Sequence, residues 1–177
     1  MRVAVLVAAA IVFNLGCAAI AQDEQPPTRL YMNKEYRFGV IFPAAPMTKE
    51  IMYTTRTGTA VPAREFFHET DKGRYAVTIV TFPQLRRTVD AGIVEHAAEN
   101  IRKRGDILYQ ARATYDWGIP GRQLNIKEPN GRQLRASVYM YDRHLVITEA
   151  SAEMGNFEAL QFEQSITLFD RNGVEVD

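Results

Sequence analysis

Cysteine is almost absent from this chain: Cys17 is the only one in 177 residues. If the chain is cut after Ala21, no disulfide, thiolate nucleophile or cysteine-ligated metal is open to the remainder. Charge of either sign is not in excess. The 21 basic and 21 acidic residues cancel, which removes the electrostatic case for nucleic acid. Beyond residue 21 no apolar run reaches the length of a membrane span. Histidines number three, and His68, His96 and His144 show no metal-ligand spacing. His96 and Glu99 could share one helix face, but a bundle metal site needs that pairing twice. The serines, Ser137, Ser151 and Ser165, lie outside any Gly-x-Ser-x-Gly elbow. Gly118 and Gly121 flank Pro120 in a turn between strands, with no helix following to cradle a phosphate. No catalytic residue, cofactor or metal site is therefore assigned.

What the chain does have begins at its N-terminus. Arg2 precedes VAVLVAAAIVF, residues 3–13, an apolar run of signal-peptide length and too short for a transmembrane helix. Ala19 and Ala21 fit the small-residue positions of a signal peptidase site, so the mature chain is expected to start at Gln22. The alternative is a lipoprotein box ending at Cys17, whose thiol would carry the anchor. There Asn14 occupies the place usually held by leucine. The expected location is periplasmic or secreted, with a membrane-anchored lipoprotein as the alternative and membrane contact only if Cys17 is lipidated. The expected divisions are a signal peptide at 1–21, a Pro-rich tether at 22–29, one domain at 30–169 and a polar, fraying tail at 170–177.

Within the domain, the hydrophobic period changes three times. YMNKEYRFGVIFP predicts a short hairpin with Tyr36, Phe38, Val40 and Phe42 on one face. Strands are expected near 49–56, 60–69 and 74–82, separated by Thr57-Gly58 and Asp71-Lys72-Gly73. Pro62 places the middle run at an edge, or makes it begin after that residue. Val94, Ala97, Ala98 and Ile101 then recur at helical spacing, with Thr88 or Asp90 as cap and Gly105 as a left-handed stop. Arg102, Lys103 and Arg104 resemble a partner patch, although cations at a helix C-terminus need no partner. Four further strands are expected near 106–115, 121–128, 132–141 and 144–151. In RQLRASVYMY, Leu134, Ala136, Val138 and Met140 face a covered side, and Arg135, Ser137, Tyr139 and Tyr141 a partly wet one. Asn156 caps a closing helix with Phe157, Leu160 and Ile166 turned inward.

This order predicts an α+β layered sandwich, a largely antiparallel sheet with covering helices. YMNKEYRFGVIFP, RYAVTIVTFP, GIPGRQL, GRQLRASVYMYDRHLVITEA and FEALQFEQSITL resemble the exported bacterial relatives of the PsbP-like fold. That fold is named for the extrinsic P subunit of the photosystem II oxygen-evolving complex, and Mog-type Ran-binding proteins and DcrB-type envelope lipoproteins share it. The likeness spans most of residues 31–169 and consists of strands, turns and a terminal helix. It implies a non-enzymatic accessory or scaffold module that binds an envelope protein partner; the metal and partner sites of some members have no matching motif here. Trp117, Arg122, Tyr139 and Tyr141 are the interaction candidates, with Trp117 alternatively a core-capping indole. The alternatives are a small-ligand or lipid-binding module walled by Tyr109, Tyr115, Tyr139 and Tyr141, and a hydrolase built from Asp, Glu and His.

Overall fold

The computed structural model describes residues 30–86, 89–115 and 118–176. The signal and lipid-box positions Cys17, Ala19, Ala21 and Gln22, and also Thr88 and Trp117, lie outside the described residues. In chain order the elements are β1 (Leu30–Asn33), β2 (Phe38–Ile41), β3 (Met47–Thr54), β4 (Ala60–Glu69), β5 (Gly73–Thr81), α1 (Ala91–Arg102) and β6 (Asp106–Tyr115). There follow β7 (Ile119–Lys127), β8 (Gln133–Tyr141), β9 (His144–Ala152), α2 (Phe157–Gln164) and β10 (Thr167–Leu168).

Strands β3 to β9 form a seven-stranded sheet in the order β3-β4-β5-β9-β8-β7-β6, and every neighbouring pair is antiparallel. A small sheet, β1-β2-β10, lies apart from it. The period-two alternation of side chains gives the large sheet two dry faces. Val80, Leu124, Ile126, Leu134, Ala136, Val138 and Met140 pack under Val94, Ala97, Ala98 and Ile101 of α1. Phe66, Tyr75, Val77, Ile79, Tyr139 and Val146 meet Phe38, Val40 and Phe42 of the small-sheet region and Phe162 of α2. The result is the α+β layered sandwich expected from the order of periodic segments, with Phe38, Val40 and Phe42 all buried.

Several local expectations change. The second face of β8 is dry at its centre, where Ser137 and Tyr139 are buried, because α2 and the small sheet cover it. Pro62 sits in an interior strand; pairing with β5 starts only at Ala63, so Pro62 faces a ladder on the β3 side alone. α1 ends at Lys103 in right-handed conformation, and Gly105 is not among the residues with positive φ. Its requirement is space: a Cβ there would stand 2.1 Å from the Lys127 carbonyl oxygen. Phe157 points outward, 72% exposed, because the buried positions of α2 are Ala159, Phe162 and Glu163 and Phe157 falls on the opposite arc. In the C-terminal segment Phe169 bridges to Glu175, and Val176 is buried against the core.

Candidate functional site

Most charged groups on the α1 side of the sheet are consumed within the molecule. Arg102 Nη1 donates to Glu95 at 2.7 Å and to Glu99 at 2.9 Å, and Arg104 pairs with Glu128 at 2.7 Å and Glu149 at 2.5 Å. Arg104 thus fastens the turn after α1 to the sheet, whereas the ion pairs of Arg102 stay within α1 and only its Nε reaches the sheet, at Gln110 of β6 (2.9 Å). Arg122, an interaction candidate by sequence, is engaged by Glu95 at 2.6 Å. Farther along the sheet, Glu65 lies between Lys49 and Arg74, both at 2.8 Å. Burial opposes its charge, but the two cations outweigh burial and hold its carboxyl below the usual range. Glu149 goes the other way, with burial raising it against the pull of Arg104.

The residues that could have formed a hydrolytic set are dispersed among such contacts. His96 Nε2 lies 3.1 Å from the Thr54 carbonyl oxygen while Glu99 turns to Arg102. Ser137 donates to Glu163, and Ser151 to Glu128. Ser165 Oγ accepts from the Ile41 amide at 2.8 Å. Among the described residues no group of three His, Cys, Asp or Glu side chains could hold a metal ion.

One end of the molecule is different. The β8–β9 hairpin closes through Asp142 and Arg143, with Tyr141 paired to His144. Both turn residues have positive φ, 41° and 68°, the geometry normally filled by Asn-Gly. Arg37, at the entry to β2, also has positive φ, 55°. Its side chain donates to Asp142 Oδ2 at 2.5 Å across a separation of 105 residues. Arg171 adds longer contacts to the same oxygen at 3.5 Å. Burial disfavours the Asp142 anion, yet Arg37 and then Arg171 more than offset it, so its carboxyl is held low. Beside it, burial and Arg37 push the His144 imidazole down, while Nδ1 lies 3.0 Å from Thr81 Oγ1.

Two cavities of about 310 and 360 Å³ share Arg37, Asp170, Arg171 and Asn172. Met32 and Phe169 line the first and Tyr141 the second; Arg37 also lies 5.8 Å from the centre of the Tyr141 ring. Tyr141 is thus the one described interaction candidate that joins this site. Tyr139 is in the core, edge-on to Tyr115, and Tyr109 lies on the outer strand β6. Phe42, Phe66, Tyr75 and Phe162 fill the interior between sheet and α2 with aromatic contacts, the space in which the alternative reading places a ligand cavity. Arg37, Asp142 and Arg171 were missed by sequence reasoning; the only available signal was the two-residue Asp142-Arg143 turn between alternating runs.

Because the folded-state pKa of Asp142 lies below its unfolded value, its stabilising effect is complete above about pH 4 and fades as pH falls through the folded value. Asp142→Asn is expected to cost roughly 1–3 kcal/mol at pH 7 and to flatten the acid limb of the stability curve. Urea unfolding between pH 3 and 7 measures both effects. An unchanged acid limb would remove the Arg37–Asp142 pair from the account.

No family model and no curated protein matches this chain. Among solved structures, it is similar to the solution structure of cyanobacterial PsbP (CyanoP) from Synechocystis sp. PCC 6803. The TM-score is 0.51 and the identity 13%, over 80% of this chain and 92% of that one. The fold is PsbP-like. At that identity the likeness concerns architecture, so a PsbP-like fold leaves the function to be argued from surfaces.

One open edge of the PsbP-like sheet is β6. It is an outer strand of ten residues, and Ile107, Leu108 and Tyr109 are 45%, 49% and 56% exposed. Natural edge strands are usually short, or protected by Pro or Lys; β6 contains neither. It carries one irregularity, where pairing with β7 skips from Ile107 to Tyr109. Arg112 is exposed two positions beyond Gln110, whose side chain is held by Arg102.

Proposed function

We propose that this protein is an exported, non-enzymatic accessory module of the cell envelope that binds a partner protein along β6. The contiguous apolar stretch Ile107-Leu108-Tyr109 on an open sheet edge carries the reading. An extended partner segment would add a strand there, with main-chain hydrogen bonds supplying affinity and alternate side chains supplying specificity. Its chemistry is apolar where it meets Ile107 and Tyr109, and acidic where it meets Arg112, which forms no ion pair with other described residues. The intramolecular use of the ionisable groups on the α1 side supports a non-enzymatic role, and the signal-like leader supports export. The PsbP-like architecture fits an accessory module of this kind.

Paired capture from the native envelope under mild crosslinking tests the reading. The wild type is compared with the Ile107→Lys/Tyr109→Lys double variant, whose fold is checked by circular dichroism. One partner retained by the wild type and reduced at least about tenfold by the folded variant is the expected result, as for loss of an apolar anchor at an interface. Equal recovery by both would overturn the β6 assignment. Export is tested separately by the intact mass of the protein from its host. A chain starting at Gln22 means release, an acylated Cys17 means tethering, and an uncut chain refutes export.

A further inference from the structure

The Arg37 end of the molecule shares no residue with β6, and its chemistry points to a small ligand. Lys34, Arg37 and Arg171 line the first cavity with Asp170, and Asp142 lines the second. Three cations thus face two carboxylates, and those carboxylates are already occupied. Asp142 accepts from Arg37 and Arg171. Asp170 Oδ1 accepts from the Asn172 and Val174 amides at 2.8 and 2.9 Å, and Oδ2 from the Asn172 side chain. On the cationic side capacity is left over. Lys34 forms no ion pair with the other described residues. Arg171 is exposed and held only by contacts at 3.5 Å, so it is free to turn toward an incoming anion. Met32 and Phe169 supply an apolar part of the wall, and Asn33, Asn172 and Gly173 complete it.

We infer that these cavities form a binding site for a small monocarboxylate with a short hydrocarbon portion. A planar carboxylate matches the guanidinium fork of the exposed Arg171 in a bidentate pair, and a single negative charge neutralises the surplus cation. The hydrocarbon part lies on Met32 and Phe169. A phosphate dianion would overcompensate the charge and would leave the apolar wall unused. Arg37 keeps its bond to Asp142 and adds its charge to the site, while Arg171 and Lys34 make the direct contacts; because Arg171 also reaches Asp142, a bound carboxylate ties it to the strained hairpin.

Titration of the full protein with acetate, butyrate, hexanoate and inorganic phosphate, followed by NMR at arginine Nε and by calorimetry, tests the site. Hexanoate is expected to saturate, to bind more tightly than acetate and to shift the Arg37 and Arg171 signals. The exposed variant Arg171→Gln, which leaves the Arg37–Asp142 pair in place, should weaken hexanoate about tenfold or more, as for loss of a charge-assisted hydrogen bond. Lys103→Gln, remote in sequence and outside both cavities, should leave binding unchanged. Non-saturating shifts, indifference to Arg171→Gln, or phosphate binding as tightly as hexanoate would overturn the inference. None of these outcomes bears on β6, so this site and the partner edge stand or fall separately.

Discussion

Phe162→Ala is expected to lower stability by roughly 3–5 kcal/mol, the range for removing a fully buried phenyl ring. Phe162 is 1% exposed and stands between two aromatic neighbours, with ring centres 5.0 Å from Phe42 and 5.6 Å from Tyr75. Phe42 follows β2, Tyr75 lies on β5, and Phe162 on α2, so this one side chain joins helix, small sheet and large sheet. Its removal opens a void that none of the three can close alone. Since whole domains are stable by only about 5–15 kcal/mol, the melting temperature should fall by on the order of 10 °C. A calorimetric scan beside Phe157→Ala checks this directly. Phe157 is a phenylalanine of the same helix turned to solvent, and its truncation should be nearly silent. Equal losses in the two variants would mean that the inward face of α2 has been assigned wrongly.

Gly105→Ala should cost about 3 kcal/mol, at the upper end of overpacking effects. The added methyl would meet the Lys127 carbonyl oxygen at 2.1 Å, its carbonyl carbon at 2.9 Å and Glu128 Cα at 3.1 Å. All three are main-chain atoms at the end of β7, so no rotamer change relieves the clash. The turn between α1 and β6 must move instead, straining the Arg104 bonds to Glu128 and Glu149. Gly131→Ala is the informative comparison. Its φ is +83° and nothing lies within 4 Å of the added Cβ, so only the left-handed backbone penalty, about 1 kcal/mol, applies. Urea midpoints of the two variants measure the difference. A Gly105→Ala protein no less stable than Gly131→Ala would show that helix and strand do not meet as described.

Both substitutions also mark where the fold was legible in the sequence. Alternation placed Phe38, Val40 and Phe42 in the core because a strand has only two faces, and the 94, 97, 98, 101 spacing placed the buried face of α1. Asp90 was among the capping candidates, and its side chain accepts from the Gly92 amide. Short segments misled. Eight residues of α2 offer two apolar arcs, and Phe162 outcompetes Phe157 through contacts with Phe42 and Tyr75, which are distant in sequence. Gly105 looked like a helix stop, yet its constraint comes from β7. The candidate sites were harder still. The Arg37–Asp142 pair joins residues 105 positions apart, and positive φ at arginine has no sequence signature of its own. Tyr109 was visible as an aromatic on a strand, but its openness depends on β6 being outermost, a property of topology.

The proposed function requires β6 to meet a partner. A photoreactive residue placed at Leu108, in the exposed stretch of that strand, and another at Met154, exposed at the β9–α2 turn, test it in the native host. The expected result is a crosslink from position 108, absent from position 154, to one envelope protein through an extended segment containing apolar and acidic residues. Absence of a crosslink at 108, equal labelling at both positions, or crosslinking only to a second copy of this chain would contradict it.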